Sequence, residues 1–307
     1  MSDWGKGVIN NIGWGQGGTN DIGYGSIYAD SNSGLTLLLK DNTAFIIEVK
    51  TDNAGTSNDN QFQFTGAEGD YDVVAKQGGV VIETFNDLSD EATITFANGV
   101  GTYILEVSAK EVNGFNRIQF TNGGDKLKIT DIKQWGEVAW SSFKSAFFGC
   151  ENMLVTATDV PNLSLVTSIR NMFRDTSANP YVENWNTGNI EDMSVVFFNN
   201  YNANPNVTNW NTTNLKDANF MFNNASSANP DTSNWNVANL ESVIGMFFNS
   251  NLSVENLTLI YENWSQLNLQ QNVTFSGGTT KYNASGQAGR DVLVNTYNWL
   301  ITDGGQV

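Results

Sequence analysis

The side chains in this chain that could do chemistry are carboxylates, amides and indoles. Trp185, Trp210 and Trp235 recur at intervals of 25 residues, and each follows an asparagine, Asn184, Asn209 or Asn234. A row of indoles on one face would stack on sugar rings. Held at one fixed position per repeat and spaced with Ile, Leu and Phe, they more often form a core, and that is the stronger reading. Asp and Glu total 32, enough to supply the paired carboxylates of a glycosidase, which must sit roughly 5–10 Å apart across a sugar. They are scattered, with no recognisable cleft motif. The chain contains no histidine and one cysteine, Cys150. That excludes Ser-His-Asp and Cys-His catalysis, histidine zinc sites and any intrachain disulfide. Cys150 lies in an apolar stretch and reads as a small buried hydrophobe. Asp30-Ser31-Asn32-Ser33-Gly34 and the run from Asp52 to Asp59 look like calcium loops, but Leu35 stands where an EF-hand needs glycine. Asp, Asn and Gly dominate ordinary turns for backbone reasons, so turns are favoured there. No catalytic residue, cofactor or metal is expected.

The elements that would carry these residues are bounded by composition. The 307 residues hold 15 Lys and Arg against 32 acids, a net charge of −17. A phosphate-neutralising face needs the opposite sign, so nucleic acid and anionic membranes are set aside as partners. No apolar run reaches the ~20 residues of a membrane span. With 15% charged and 40% hydrophobic residues, hydration must rest on Asn, Thr, Ser and Gly, and the chain has apolar material for real cores.

Between about residues 34 and 132 the pattern alternates and is β-branched, as in Ala44–Val49, Phe62–Phe64, Val80–Ile82, Thr93–Phe96, Tyr103–Val107 and Ile118–Phe120. Such strands, separated by Asp, Asn and Gly clusters, read as an antiparallel sandwich. Gly101-Thr102-Tyr103-Ile104-Leu105-Glu106-Val107 resembles the G-T-Y strand of PKD-like, immunoglobulin-type modules, with Asp70-Tyr71-Asp72-Val73-Val74 at the position of an earlier strand. That family's W-G-D-G turn is replaced by Ala75-Lys76-Gln77-Gly78-Gly79. The resemblance implies a spacer or adhesive unit and assigns no chemistry.

The 25-residue period is the strongest signal. It governs the three Trp, then Ala178-Asn179-Pro180, Ala203-Asn204-Pro205 and Ala228-Asn229-Pro230. It also governs Asn189-Ile190, Asn214-Leu215 and Asn239-Leu240, and places Phe197, Phe222 and Phe247 in register. A fixed period of 20–50 residues indicates a solenoid in which stacked units share one core. In each unit Pro sets a corner, the segment from Asn-Trp-Asn to Ile or Leu is expected as a short strand, and Glu191–Phe198 and its equivalents as a brief helical return. Asn184, Asn209 and Asn234 would then form an amide ladder. These residues resemble the Asn-Trp-Asn…Met-Phe repeats of the bacterial surface-protein family related to BspA, a leucine-rich-repeat-like array, with Gln134–Cys150 similar to its opening unit. The resemblance implies adhesion and binding. After Asn251 the period fails, and Ser253 and Ser285 are placed to cap two helices that would seal the array.

At the start, Ile9–Gly15 returns as Thr19–Gly25, and Trp4-Gly5 keeps the same ten-residue step. So glycine-rich a segment cannot build a core, and Trp4, Trp14, Tyr24, Ile12 and Ile22 are expected to dock on a partner. The segment resembles Trp/Gly leaders of tailed-phage structural proteins. Met1–Gly7 shows no basic and apolar export signal, which suits a protein made in a host cytoplasm and carried out on a particle. The expected architecture is multidomain and mainly β: a docking leader (1–28), an immunoglobulin- or PKD-like β-sandwich (29–133), a leucine-rich-repeat-like α/β solenoid (134–251) and a helical C-terminal cap (252–307). The expected function is non-enzymatic. It is that of a virion surface protein, either head decoration or tail fibre, bound to other virion proteins through the leader and presenting the array to a host-surface glycan or protein. Fibres are homo-oligomers, commonly trimers. The alternative is a BspA-like adhesin on a bacterial surface. Deleting residues 1–28 is expected to preserve cooperative melting and abolish attachment to the partner, measured by calorimetry and co-sedimentation; loss of cooperative melting would place the leader in the core.

Overall fold

The computed structural model describes residues 27–29, 35–37, 43–110 and 114–307. Two compact units are present, Met1–Asp41 and Asn42–Val307. In the first, β1 (Ile27–Ala29) pairs antiparallel with β2 (Leu35–Leu37). The docking residues Trp4, Ile12, Trp14, Ile22 and Tyr24 lie outside the described residues.

The second unit is mainly β, with few helices. Its first part holds β3 (Phe45–Lys50), β4 (Gln61–Gln63), β5 (Asp70–Gln77), β6 (Val80–Ser89), β7 (Thr93–Thr95) and β8 (Thr102–Ala109), followed by β9 (Ile129–Gln134) and β10 (Leu154–Val155). Six of them form one open sheet in the order β10-β9-β3-β8-β5-β6, while β4 and β7 pair separately. The alternation in the sequence explains the burial. Tyr71, Val73 and Ala75 on β5 and Tyr103, Leu105 and Val107 on β8 are fully buried, with half-buried Asp72, Val74, Ile104 and Glu106 between them. Phe62 on β4 meets Phe64 at 5.1 Å, and Phe64 meets Tyr71 at 5.2 Å, so the two sheets share one aromatic core.

The Asp52–Asp59 loop is organised from inside the protein. The Asp125 carboxylate accepts the backbone N–H groups of Thr56, Ser57 and Gln63 at 2.9, 3.0 and 2.7 Å. Lys128 donates to the carbonyls of Ser57, Asn58 and Gln61 and to the Ser57 hydroxyl, all at 2.8–3.0 Å. Both side chains are buried, their charged atoms 3.8 Å apart. The oxygens of this calcium-like loop thus surround an ammonium, which supplies the positive charge that such a cage needs.

β9 joins two pairing modes. It runs antiparallel to β3 and parallel to β10, and the sequence-expected boundary at 133/134 falls at its C-terminal end. From there the chain proceeds as stacked layers. Single parallel bridges connect Ser168 to Asp192, Asp192 to Asp217, Asp217 to Ser242 and Val243 to Phe275. Alternate N–H groups cross to the next layer: Met193, Val195, Phe197 and Asn199 donate to the carbonyls of Asp217, Asn219, Met221 and Asn223 at 2.8–2.9 Å. Ala218, Phe220, Phe222 and Asn224 do the same to Ser242, Ile244, Met246 and Phe248. Other N–H groups between them close turns inside their own layer, as in Asn200 to Phe197, Met221 to Ala218, Asn223 to Phe220 and Ala225 to Phe222. Both sets of donors are therefore satisfied within a core that excludes water.

This geometry corrects two local expectations. Residues 191–198 form no helix, and 184–190 form no strand. Each layer turns through two left-handed residues four apart: Asn171 and Asp175, Val195 and Asn199, Phe220 and Asn224, Gly245 and Asn249. A left-handed residue every fourth position prevents the continuous bonding of an α-helix. Asn tolerates that conformation; Val195 and Phe220 do not, at a cost of about 1–2 kcal/mol each, and the inter-layer bonds hold them there.

Beyond Asn251 the layers continue. β11 (Thr274–Ser276) pairs parallel with β12 (Leu300–Thr302), and Phe247 donates to the Ser276 carbonyl. What changes is the return path, which becomes α1 (Val254–Trp264) and α2 (Gln287–Asn295). Ser253 caps α1 as expected by accepting the Asn256 N–H. Ser285 instead lies in a 3-10 turn, Ala284–Gly286, that leads into α2 without a side-chain cap. Tyr261 and Arg290 both donate to Asp303 Oδ2 at 2.7 Å, tying the two helices to the chain just after β12. Burial pushes the Asp303 carboxyl up, but these hydrogen bonds outweigh it and hold it below the usual carboxylate range. Among the described residues, no helix is long and apolar enough to cross a membrane.

Replacing Lys128 by Met would leave Asp125 buried without its cation. The Lys128→Met chain is expected to lose about 3–5 kcal/mol in urea denaturation, whereas a loss below 1 kcal/mol would show that the pair does not organise the loop.

Candidate recognition surface

The repeat tryptophans enter the core because each layer closes around them. Trp185, Trp210 and Trp235 are 4%, 4% and 2% exposed, so their rings offer no open face to a ligand. Trp210 Nε1 donates to the Val182 carbonyl at 2.9 Å and Trp235 Nε1 to Val207 at 3.0 Å. Trp264 and Trp299 extend the pattern beyond the regular period, donating to Thr232 and Gln270. Beside them runs a phenylalanine column, Phe147, Phe173, Phe197, Phe222 and Phe247, with centroids 5.6–6.1 Å apart and planes within 14°. Trp185, Trp210, Trp235, Phe197, Phe222 and Phe247 are therefore core residues, brought together as one apolar spine.

The amide ladder is real but stands in other columns. Asn184, Asn209 and Asn234 are exposed and make no bonds to one another, because each flanks a Trp that points inward. Asn224 instead donates to Asn199, and Asn249 to Asn224, both at 2.9 Å, with Asn199 donating to Asp175 at 2.8 Å. A second column uses oxygen acceptors: Asn179 accepts the Asn204 N–H, Asn204 the Asn229 N–H, and Asn229 the Ser253 N–H. The first column coincides with left-handed positions, where Asn is the favoured non-glycine residue. Its 25-residue recurrence was the sequence signal that could have located it.

Carboxylates along the stack serve as backbone acceptors. Asp192 takes the Ser194 N–H at 2.9 Å, Asp217 the Asn219 N–H at 2.8 Å, and Asp159 those of Trp135 and Gly136 at 3.0 and 2.9 Å. Burial pushes the Asp217 carboxyl up, with the neighbouring Asp192 charge adding to it. The Cys150 thiol is buried and raised well above its ordinary value by desolvation, which keeps it inert. Among the described residues, no group of three His, Cys, Asp or Glu side chains could hold a metal ion.

Planar groups line a further column: Phe148, Arg174, Phe198, Asn223 and Phe248 occupy one position in five successive layers, with Asn223 buried, Phe148, Arg174 and Phe198 half-buried and Phe248 exposed. The Arg174 guanidinium lies 4.6 Å from the Phe148 ring centroid and 4.9 Å from that of Phe198, stacked on both. Tyr181 and Tyr201 are also exposed, and Tyr201 borders a polar groove of 410 Å³ shared with Lys126, Glu151, Asp175 and Asn199. Sequence reading missed this surface because it tracked the residues that repeat identically, and this column varies in type while keeping planarity.

The tryptophans also give an internal comparison, since Trp185 Nε1 has no hydrogen-bond partner among the described residues. Trp210→Phe and Trp235→Phe should each cost more than Trp185→Phe, by about 1 kcal/mol for the lost hydrogen bond. Equal losses in urea denaturation would contradict the role given to the indole bond.

Residues 141–264 match a family described as Mycoplasma protein of unknown function, DUF285. No curated protein and no solved structure matches the chain. The matched segment is about two fifths of the 307 residues, and over that segment the chain is similar to DUF285, the family of the BspA-like repeats in general.

Proposed function

We propose that this chain is a non-enzymatic binding protein whose stacked layers form a leucine-rich-repeat-like solenoid, closed by the helical returns of α1 and α2. The PKD-like sandwich would act as a spacer continuous with the stack through β9. The observation that carries the reading is the division of labour among side chains. Acids on the stack hold backbone N–H groups, while half-buried Phe148, Arg174 and Phe198 and exposed Tyr181, Tyr201, Phe220 and Phe248 present rings and a guanidinium suited to recognition. The leader residues Trp4, Ile12, Trp14, Ile22 and Tyr24 would attach the protein to other virion proteins of a tailed phage. That placement rests on the leader sequence alone. The bacterial adhesin is the second reading, favoured by the DUF285 match over residues 141–264.

Immunogold electron microscopy with antibody raised against the full chain tests both placements. Label on the heads or tails of purified phage particles is the expected result. Label on intact bacterial surfaces would replace the virion placement with the adhesin, and label confined to the cytosol would overturn both.

A further inference from the structure

One of the two left-handed columns changes character at one layer. The left-handed position filled by Asn171, Val195 and Phe220 in successive layers is glycine at 245, with φ +61°. A Cβ there would stand 2.6 Å from two ring carbons of Phe220, so the missing side chain is what lets the Phe220 ring lie across the backbone. The result is an open groove of 480 Å³ whose rings are Phe198, Phe220 and Phe248. Phe220 and Phe248 are 38% and 48% exposed.

The far wall belongs to the last two layers. On β11, Thr274 and Ser276 share a face opposite the buried Phe275, and their register partners on β12 are Leu300 and Thr302. Three hydroxyls therefore face the rings, together with Asn223, whose amide nitrogen is held by the Gly245 carbonyl at 3.2 Å. Ser276 accepts the Gly278 N–H; the Thr274 and Thr302 hydroxyls have no partner among the described residues. No Asp, Glu, Lys or Arg lines the groove.

We infer that this groove binds a neutral carbohydrate, a reading that rests on the proposal that the stack is a binding surface. The C–H face of a pyranose is apolar and packs on aromatic rings, while its hydroxyls need donors and acceptors at the edge. Rings on one wall and unpaired hydroxyls on the other meet both needs. A charged ligand would find no counter-charge here, and an apolar protein side chain would bury the threonine hydroxyls unsatisfied.

Native affinity electrophoresis of the full chain through gels containing mannan, laminarin, galactomannan or arabinoxylan tests this, with dextran sulfate as the charged probe. At least one neutral polysaccharide should retard the chain. Phe248→Ala should weaken that retardation about tenfold, and so should the shape-preserving pair Thr274→Val and Thr302→Val, with melting temperatures unchanged. Tyr181→Ala, away from the groove, should migrate as the parent. Failure of all four neutral polysaccharides, retardation by dextran sulfate alone, or variants that bind like the parent would each overturn the inference. Adsorption of the labelled chain to cells of the bacterium that produces it separates the two levels. If the parent and groove variants adsorb equally, only the groove is lost; no adsorption at all would remove the binding reading itself.

Discussion

The structure depends on how backbone N–H groups are shared between layers. Four alternate donors in a layer cross to the next, and intervening ones close turns within it. Neither set alone would satisfy a buried backbone. Together they force a left-handed residue at two positions per layer, and that requirement dictates much of the sequence. Asn occupies one of the two positions in three layers, which is why an amide column runs along the axis there. The remaining position admits Asn, Val, Phe or Gly, and its variation shapes the outer surface.

Several charged side chains serve the same architecture. Asp125, Asp131, Asp159, Asp192 and Asp217 all accept backbone N–H groups, where a carboxylate makes stronger bonds than a neutral acceptor. Lys128 sits inside an oxygen cage, and Arg174 lies between two rings. Several ionised groups thus work on the backbone or the core, while others, such as Glu151, Glu191 and Lys216, remain exposed among Asn, Thr, Ser and aromatic residues.

Much of this was legible in the sequence. The 25-residue step located the layers from about 178 to 247, and the core role of Trp185, Trp210 and Trp235 followed from their fixed position beside Phe and Ile or Leu. Local conformation was not legible. Left-handed Val195 and Phe220 run against their own preferences, so no propensity argument reaches the turn-by-turn path that replaces the expected helix and strand. The Asn ladder was assigned to the residues flanking Trp, although alternation around an inward indole sends them outward. Continuation past Asn251 was hidden because helical returns are longer than the Pro-Asn corners they replace; Trp264 and Trp299 keep the indole-to-carbonyl bond while leaving the period. The groove at Gly245 depends on one missing side chain, which becomes meaningful only when the layers are superposed.

Native-state hydrogen exchange of the full chain tests the central claim, that one ladder runs unbroken through regular and irregular layers. The inter-layer amides of Val195, Phe197, Phe220 and Phe222 should fall in the slowest-exchanging class, and those of Phe247 and Leu300, which donate to the layers beyond Asn251, should exchange with them as one cooperative unit. Rapid or separate exchange of Phe247 and Leu300 would contradict it, and would confine the stack to the residues that obey the 25-residue period.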